Sequence, residues 1–158
     1  MEYKRLSKEQ FEALHQEFTT FLAAYSIDKK EWDQLKVQHV DQAESLLNEF
    51  SDLVWNDVLT KNLFVEHHNP NHLFLFECLE EKMNLILVKT EQNLIDFTTQ
   101  DGIKWMEANM HSDSVSIFRS QKKYNNRKQD IFDLIMKGGR LSEGAFYKSI
   151  YSFLSKTS

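Results

Sequence analysis

Leu73-Phe74-Leu75-Phe76-Glu77-Cys78-Leu79-Glu80-Glu81-Lys82-Met83-Asn84-Leu85-Ile86-Leu87-Val88-Lys89 is the stretch that decides the fold. Two short apolar runs, 73–79 and 83–89, flank the charged Glu80-Glu81-Lys82, which reads as a β-hairpin. Both faces of each run carry apolar residues. Such strands are covered on both sides, or by helices on one side and a partner on the other. Asn69-Pro70-Asn71 supplies the turn that leads in. Beyond the hairpin, Glu91-Gln92-Asn93 turns the chain into a third predicted strand, 94–97, and 115–118 is a fourth.

Upstream, the period is helical. Ser7 and Gln10 form a capping box, in which each side chain satisfies a free amide of the first turn. Phe11, Leu14, Phe18, Phe21, Leu22 and Tyr25 then recur at helical spacing and predict one helix. Asp28 and Glu31 repeat the box, with Ile27 placed to staple against Trp32, and this helix should end near His39. Asp41 and Glu44 repeat it again, ahead of the stripe Ala43, Leu47, Phe50, Val54 and Val58.

Downstream, Thr98 or Thr99 can cap a helix carrying Ile103, Met106 and Met110. Asn126 and Gln129 open another, which Gly138-Gly139 closes through the left-handed turn glycine accepts. Ser142 is the predicted cap of the last, whose Phe146, Ile150, Phe153 and Leu154 face inward. The expected architecture is α+β. It has a helical N-terminal half, a small, mainly antiparallel sheet of about four strands and C-terminal helices packed on it, all in one domain, 1–158.

Composition supports a folded chain and excludes several classes. At 41% apolar and 27% charged, the protein is far from the disordered range. Four Gly and one Pro are too few turn formers for an all-β sandwich. The apolar runs span about four residues, against ~20 for a membrane helix. Residues 1–5 are charged, with no apolar signal region following. The lone Cys78 cannot form an internal disulfide, which suits a reducing cytoplasm. A cytoplasmic protein with no membrane segment is expected.

Charge is segregated. Residues 119–158 hold nine Lys or Arg against three acids, and residues 1–118 hold ten against twenty-one. The densest basic stretch, Arg119, Lys122, Lys123, Tyr124, Arg127 and Lys128, is predicted to be a strand-to-helix loop. Its cations could hold phosphates while the tyrosine ring stacks on a base. The plainer reading is a solvated surface, or a loop folded over the acidic helices. The whole-chain charge of −5 opposes nucleic-acid binding.

Glu66-His67-His68-Asn69-Pro70-Asn71-His72 is the one grouping with metal-ligand chemistry, since imidazole, carboxylate and the Cys78 thiolate all bind zinc. Its spacing matches no specific motif, and neighbouring histidines converge only if the backbone turns sharply between them. A polar helix-to-strand loop is the plainer account of His67, His68 and His72. No phosphate loop, nucleophile elbow or activated Cys–His setting occurs, so no catalytic residue and no cofactor are singled out.

Of the aromatics, Trp55 lies in a helix that is apolar or bulky around most of its girth, which implies a central core position or cover by a second chain. Tyr147 and Tyr151, four apart, could form an aromatic rim of the kind found at binding hot spots. Tyr3-Lys4-Arg5-Leu6-Ser7-Lys8-Glu9-Gln10, Phe50-Ser51-Asp52-Leu53-Val54-Trp55 and Asp130-Ile131-Phe132 resemble segments of a family of small bacterial proteins of unknown function, over nearly the whole chain. That resemblance implies a bacterial cytoplasmic protein and transfers no active or binding residue.

Three functional readings follow. The preferred one is a non-enzymatic protein-interaction or regulatory module whose partner is another protein. The second is association with RNA or a ribonucleoprotein through residues 119–128. The third is a metal-dependent enzyme using His67, His68 or His72.

Overall fold

The computed structural model describes residues 1–157, which divide into two compact units, Met1–Thr60 and the part from Lys61 onward. The first unit is helical: α1 (Lys8–Ala13), α2 (His15–Ala24), α3 (Lys29–Gln38) and α4 (Val40–Lys61), whose last residue begins the second unit. The Ser7–Gln10 box forms as predicted, and Asp28 caps α3 by accepting the Glu31 amide at 2.8 Å. Two expectations change. The single helix predicted from Phe11 to Tyr25 breaks at Leu14, whose backbone leaves the helical region. Asp41 is no cap, because α4 starts one residue earlier and its first carbonyl bond already runs from His39 to the Ala43 amide.

The core of this unit is aromatic. Phe11 and Phe18, from either side of the Leu14 break, both pack on Phe50, with ring centroids 5.9 and 5.0 Å away. Phe21 and Trp32 complete the cluster, at 5.4 Å from Phe50 and 5.3 Å from Phe18. The N-terminal segment is clamped to α4. Ser51, fully buried, accepts the Leu6 amide at 3.0 Å; Asp52 takes the amides of Glu2 and Tyr3; the Trp55 indole donates to the Lys4 carbonyl at 3.0 Å. Two of the segments that carry the family resemblance therefore bind each other.

The second unit is a five-stranded antiparallel sheet with three helices, so the fold is α+β, with one strand more than expected. Its elements are β1 (Phe64–His68), β2 (His72–Cys78), β3 (Lys82–Thr90), α5 (Gln100–Ala108), β4 (Val115–Lys123), α6 (Arg127–Met136), β5 (Arg140–Ser142) and α7 (Ala145–Thr157). The strand order is β4-β3-β2-β1-β5. The predicted hairpin is β2–β3, with Leu75 opposite Ile86.

Side chains alternate across the sheet. One face sends Phe64, Leu73, Leu75, Ile86, Val88 and Val115 into a core closed by Phe97, Met106 of α5, and Tyr147 and Ile150 of α7. The other face carries Val65, Phe74, Phe76, Leu85 and Leu87 of β1–β3, and α6 lies against it at β1, where Val65 is fully buried. Apolar residues on both faces are thus covered by α5 and α7 on one side and, at β1, by α6 on the other, where Phe118 of β4 stays exposed.

Residues 94–97 are not a strand. Leu94 is fully exposed, while Phe97 is fully buried and its amide bonds to the Pro70 carbonyl at 2.7 Å. One buried ring pins this turn, so no ladder is needed. β1 and β5 went unpredicted, and the histidines expected in a loop lie on strands, His67 and His68 on β1 and His72 on β2, with the turn kept at Asn69-Pro70-Asn71. Ser142 lies in β5, where it accepts the Gly144 amide at 3.1 Å, and α7 starts at Ala145.

Candidate functional site

β4 is an outer strand of nine residues, and its second half is exposed throughout. It holds much of the segment predicted to be a loop: Arg119, Lys122 and Lys123 sit on a paired strand. Tyr124 lies in the turn, and Arg127 and Lys128 begin α6. Strand alternation separates the cations. Arg119 and Lys123 share the face that carries α5 and α7, and Lys122 is on the other with Phe118, which is 53% exposed.

Two members of this segment are committed to the fold. The Tyr124 hydroxyl and the Arg127 Nε–H both donate to the Leu79 carbonyl, each at 3.0 Å. Arg127 also reaches the carbonyls of Asn62 and Cys78 at 3.0 and 3.1 Å. Burial pushes the Tyr124 hydroxyl up to about 12.

Arg119, by contrast, meets Tyr147 and Tyr151. Its guanidinium lies over the Tyr151 ring, 5.3 Å from the centroid, a cation–π arrangement. Tyr151 stacks on Tyr147 at 6.2 Å with planes 13° apart. Tyr147 is 6% exposed and belongs to the core, so only Tyr151, 46% exposed, forms a rim. Burial pushes the Tyr147 hydroxyl up to about 12, with the Glu77 carboxylate adding to the rise and Arg119 opposing it.

These residues wall a concavity of about 720 Å³ with Lys82, Asn84 and Gln121. Asn84 is the informative one. Its Nδ2 donates to Glu77 at 2.9 Å, which sets the amide, since the reverse orientation would oppose oxygen to carboxylate. Its Oδ1 is then buried without a partner, the one such side-chain atom among the described residues. Sequence reading missed Asn84, a polar position in a hairpin run that is otherwise core, and Lys82, which read only as part of the turn.

The three histidines are not brought together. On β1, His67 and His68 point to opposite faces. His67 pairs with Phe74, rings 5.8 Å apart, and His72 stacks on the same Phe74. His68 is held from two sides: Nδ1 lies 3.0 Å from the Phe97 carbonyl and Nε2 3.0 Å from Glu66 Oε1. The Glu66 hydrogen bond holds its pKa above the usual histidine value, against the opposing effect of burial. Among the described residues, no three His, Cys, Asp or Glu gather as a metal-binding group. Cys78 is fully buried, which pushes its thiol up to about 11.

A second concavity, of about 790 Å³, lies in the helical unit between α2 and α3, with Phe18, Leu22 and Trp32 as floor and mixed charges as rim. No helix among the described residues is long and apolar enough to cross a membrane.

The fold and site define an α+β protein with a helical unit, an antiparallel sheet and a polar recess beside its outer strand. The chain belongs to the family of unknown function DUF6495, whose model matches residues 1–155. No curated protein and no solved structure matches it.

Proposed function

We propose that the protein is a non-enzymatic interaction or regulatory module of the bacterial cytoplasm, and that it docks an extended, acidic segment of another protein along β4. The carrying observation is β4 itself: a long outer strand, exposed over its second half, with Arg119, Lys122, Lys123 and the ring of Phe118 arrayed on it. An outer strand presents a row of backbone donors and acceptors that an added strand can pair. Lysines on such an edge deter indiscriminate pairing and favour an acidic partner.

The test compares native-lysate complexes of the wild type with those of a Phe118→Ser/Lys122→Glu double variant. A stoichiometric protein should be held by the wild type, released by salt and lost in the variant, and it should slow amide exchange in β4. A wild type that holds none, or holds one equally well in both forms, would overturn the reading.

RNA association is the second reading, favoured by the exposed Phe118 ring sharing a face with Lys122 and the half-buried rings of Phe74 and Phe76. Salt-sensitive binding of a single-stranded RNA oligonucleotide, abolished by Lys122→Glu with Lys123→Glu, would support it. Binding indifferent to both would reject it.

A further inference from the structure

Strand alternation gathers three cations on one face at the end of the β3–β4 ladder. Lys82 pairs directly with Lys123, Asn84 with Gln121 and Ile86 with Arg119, so these six residues share a face. Ile86 takes that face into the core, while Lys82, Arg119, Gln121 and Lys123 are exposed. Along β4, Lys123, Gln121 and Arg119 form a row of donors two residues apart, ~13 Å from first to last at ~3.3 Å per residue. Lys82, Gln121 and Arg119 wall the recess of about 720 Å³, together with Tyr147 and Tyr151 of α7.

None of the three cations has an ionic partner. Among the described residues, Lys82, Arg119 and Lys123 make no ion pair, and the Arg119 guanidinium meets only the Tyr151 ring, at 5.3 Å. Like charges directly opposite on neighbouring strands destabilise a sheet, and Lys82 and Lys123 are such a pair. The acid of the next strand, Glu77, lies across from Asn84 on β2, accepts the Asn84 amide at 2.9 Å and is not a wall of the recess.

We propose that this row binds a linear run of phosphates, either an inorganic oligophosphate or the triphosphate of a nucleotide. One end of the run lies between the Lys82 and Lys123 ammonium groups, and its middle passes the Gln121 amide. The other end meets the Arg119 guanidinium, whose fork of N–H donors matches phosphate oxygens. The lysine stem is flexible, which gives it the reach to close on a chain shorter than the row. Length is the criterion of selection: a single phosphate engages one end only, and a cation is repelled at both. An anion also relieves the repulsion between Lys82 and Lys123, which a neutral ligand does not. The inference does not rest on the docking of a protein along β4, because Phe118 and Lys122, which carry that docking, lie on the opposite face.

Inorganic tripolyphosphate, adenosine triphosphate and inorganic phosphate would each be titrated into the full chain by calorimetry, without magnesium. Salt at about 100 mM screens attraction between distant charges. Tripolyphosphate or the nucleotide should bind saturably below about 1 mM and at least about tenfold more tightly than phosphate, the gain of a further charged contact. The tighter of the two names the source of the run. Amide NMR shifts should centre on Lys82, Gln121 and Lys123. Lys82→Gln and Lys123→Gln, both at exposed positions, should each weaken binding about tenfold with the circular dichroism spectrum unchanged. Lys89→Gln, which removes the same charge from the other face of β3, should leave binding as it was. Saturation by neither triphosphate up to about 10 mM overturns the proposal, as does phosphate binding equally well. So do a loss in Lys89→Gln as large as in Lys82→Gln, and shifts centred away from the row.

Discussion

The Nε–H of Arg127 donates to the carbonyl of Leu79 at 3.0 Å, across 48 positions of sequence. The same guanidinium takes the carbonyls of Cys78 and Asn62, so one side chain ties the start of α6 to the end of β2 and to the link that leads into β1. A fork of donors in fixed geometry suits this task. Arg127→Met should therefore lower unfolding stability by about 1–3 kcal/mol, because the part-buried Asn62 and Cys78 carbonyls lose this donor and the Leu79 carbonyl keeps only the Tyr124 hydroxyl. Arg127→Lys should recover only part of the loss, as an ammonium cannot reach three separated carbonyls at once. Denaturant titration with an unchanged m-value would check both.

Ser51 does comparable work in the helical unit. Its buried hydroxyl accepts from the Leu6 amide at 3.0 Å and donates to the Leu47 carbonyl at 2.7 Å. Ser51→Ala should cost about 1–3 kcal/mol and speed hydrogen exchange at Leu6 first. An exchange rate at Leu6 equal to that of the wild type would contradict the clamp.

Gly102 is required by a close approach. A Cβ there would sit 1.8 Å from the Asp96 carbonyl oxygen, a backbone atom that cannot swing aside. The same carbonyl accepts the Thr99 amide, and the Thr99 hydroxyl caps Gly102 at 3.0 Å, so the turn and the start of α5 interlock. Gly102→Ala should destabilise by about 1–3 kcal/mol, although alanine is the better helix former by about 1 kcal/mol. A melting temperature equal to or above that of the wild type would refute this.

His68 predicts a pH dependence. Its two ring nitrogens face two acceptors, the Phe97 carbonyl and the Glu66 carboxylate, and only the protonated ring donates to both. Its pKa is accordingly raised, with the Glu66 bond as the main cause. A raised folded-state value stabilises fully below the unfolded value of about 6.5 and is lost as pH climbs through the folded midpoint. His68 should titrate above about 6.5 by imidazole NMR, and Glu66→Gln should move that midpoint down. Urea midpoints of the wild type should fall across the same interval, and those of Glu66→Gln should fall less.

Local signals placed the helix caps at Ser7, Asp28 and Asn126 and narrowed a fourth to Thr98 or Thr99, of which Thr99 is the cap, because each depends on a side chain bonding an amide two or three residues on. They failed where pairing partners were distant. β1 contains Glu66, His67 and His68, polar residues that read as a loop, and it is a strand because β2 on one side and β5 on the other take its backbone bonds. The stretch 94–97 looked like a strand by composition, yet Phe97 is held by the carbonyl of Pro70, 27 residues back.

The candidate site was half legible. Arg119, Tyr147 and Tyr151 were singled out by charge and by rings, and the structure sets them side by side. Asn84 carries no mark in the sequence. What distinguishes it is one buried oxygen without a partner, a property of three dimensions.

By itself the amino-acid sequence determined the class of fold, the β2–β3 hairpin and most helix starts, since periodicity and capping act over a few residues. Tertiary structure alone decided which cations are spent and which are open. Arg127 is bound to three carbonyls, while Arg119, eight residues earlier, faces a recess. Alternation along β4 and the turn at Tyr124 sent like charges to different surroundings, and a side chain's charge does not record which neighbours the fold will bring to it.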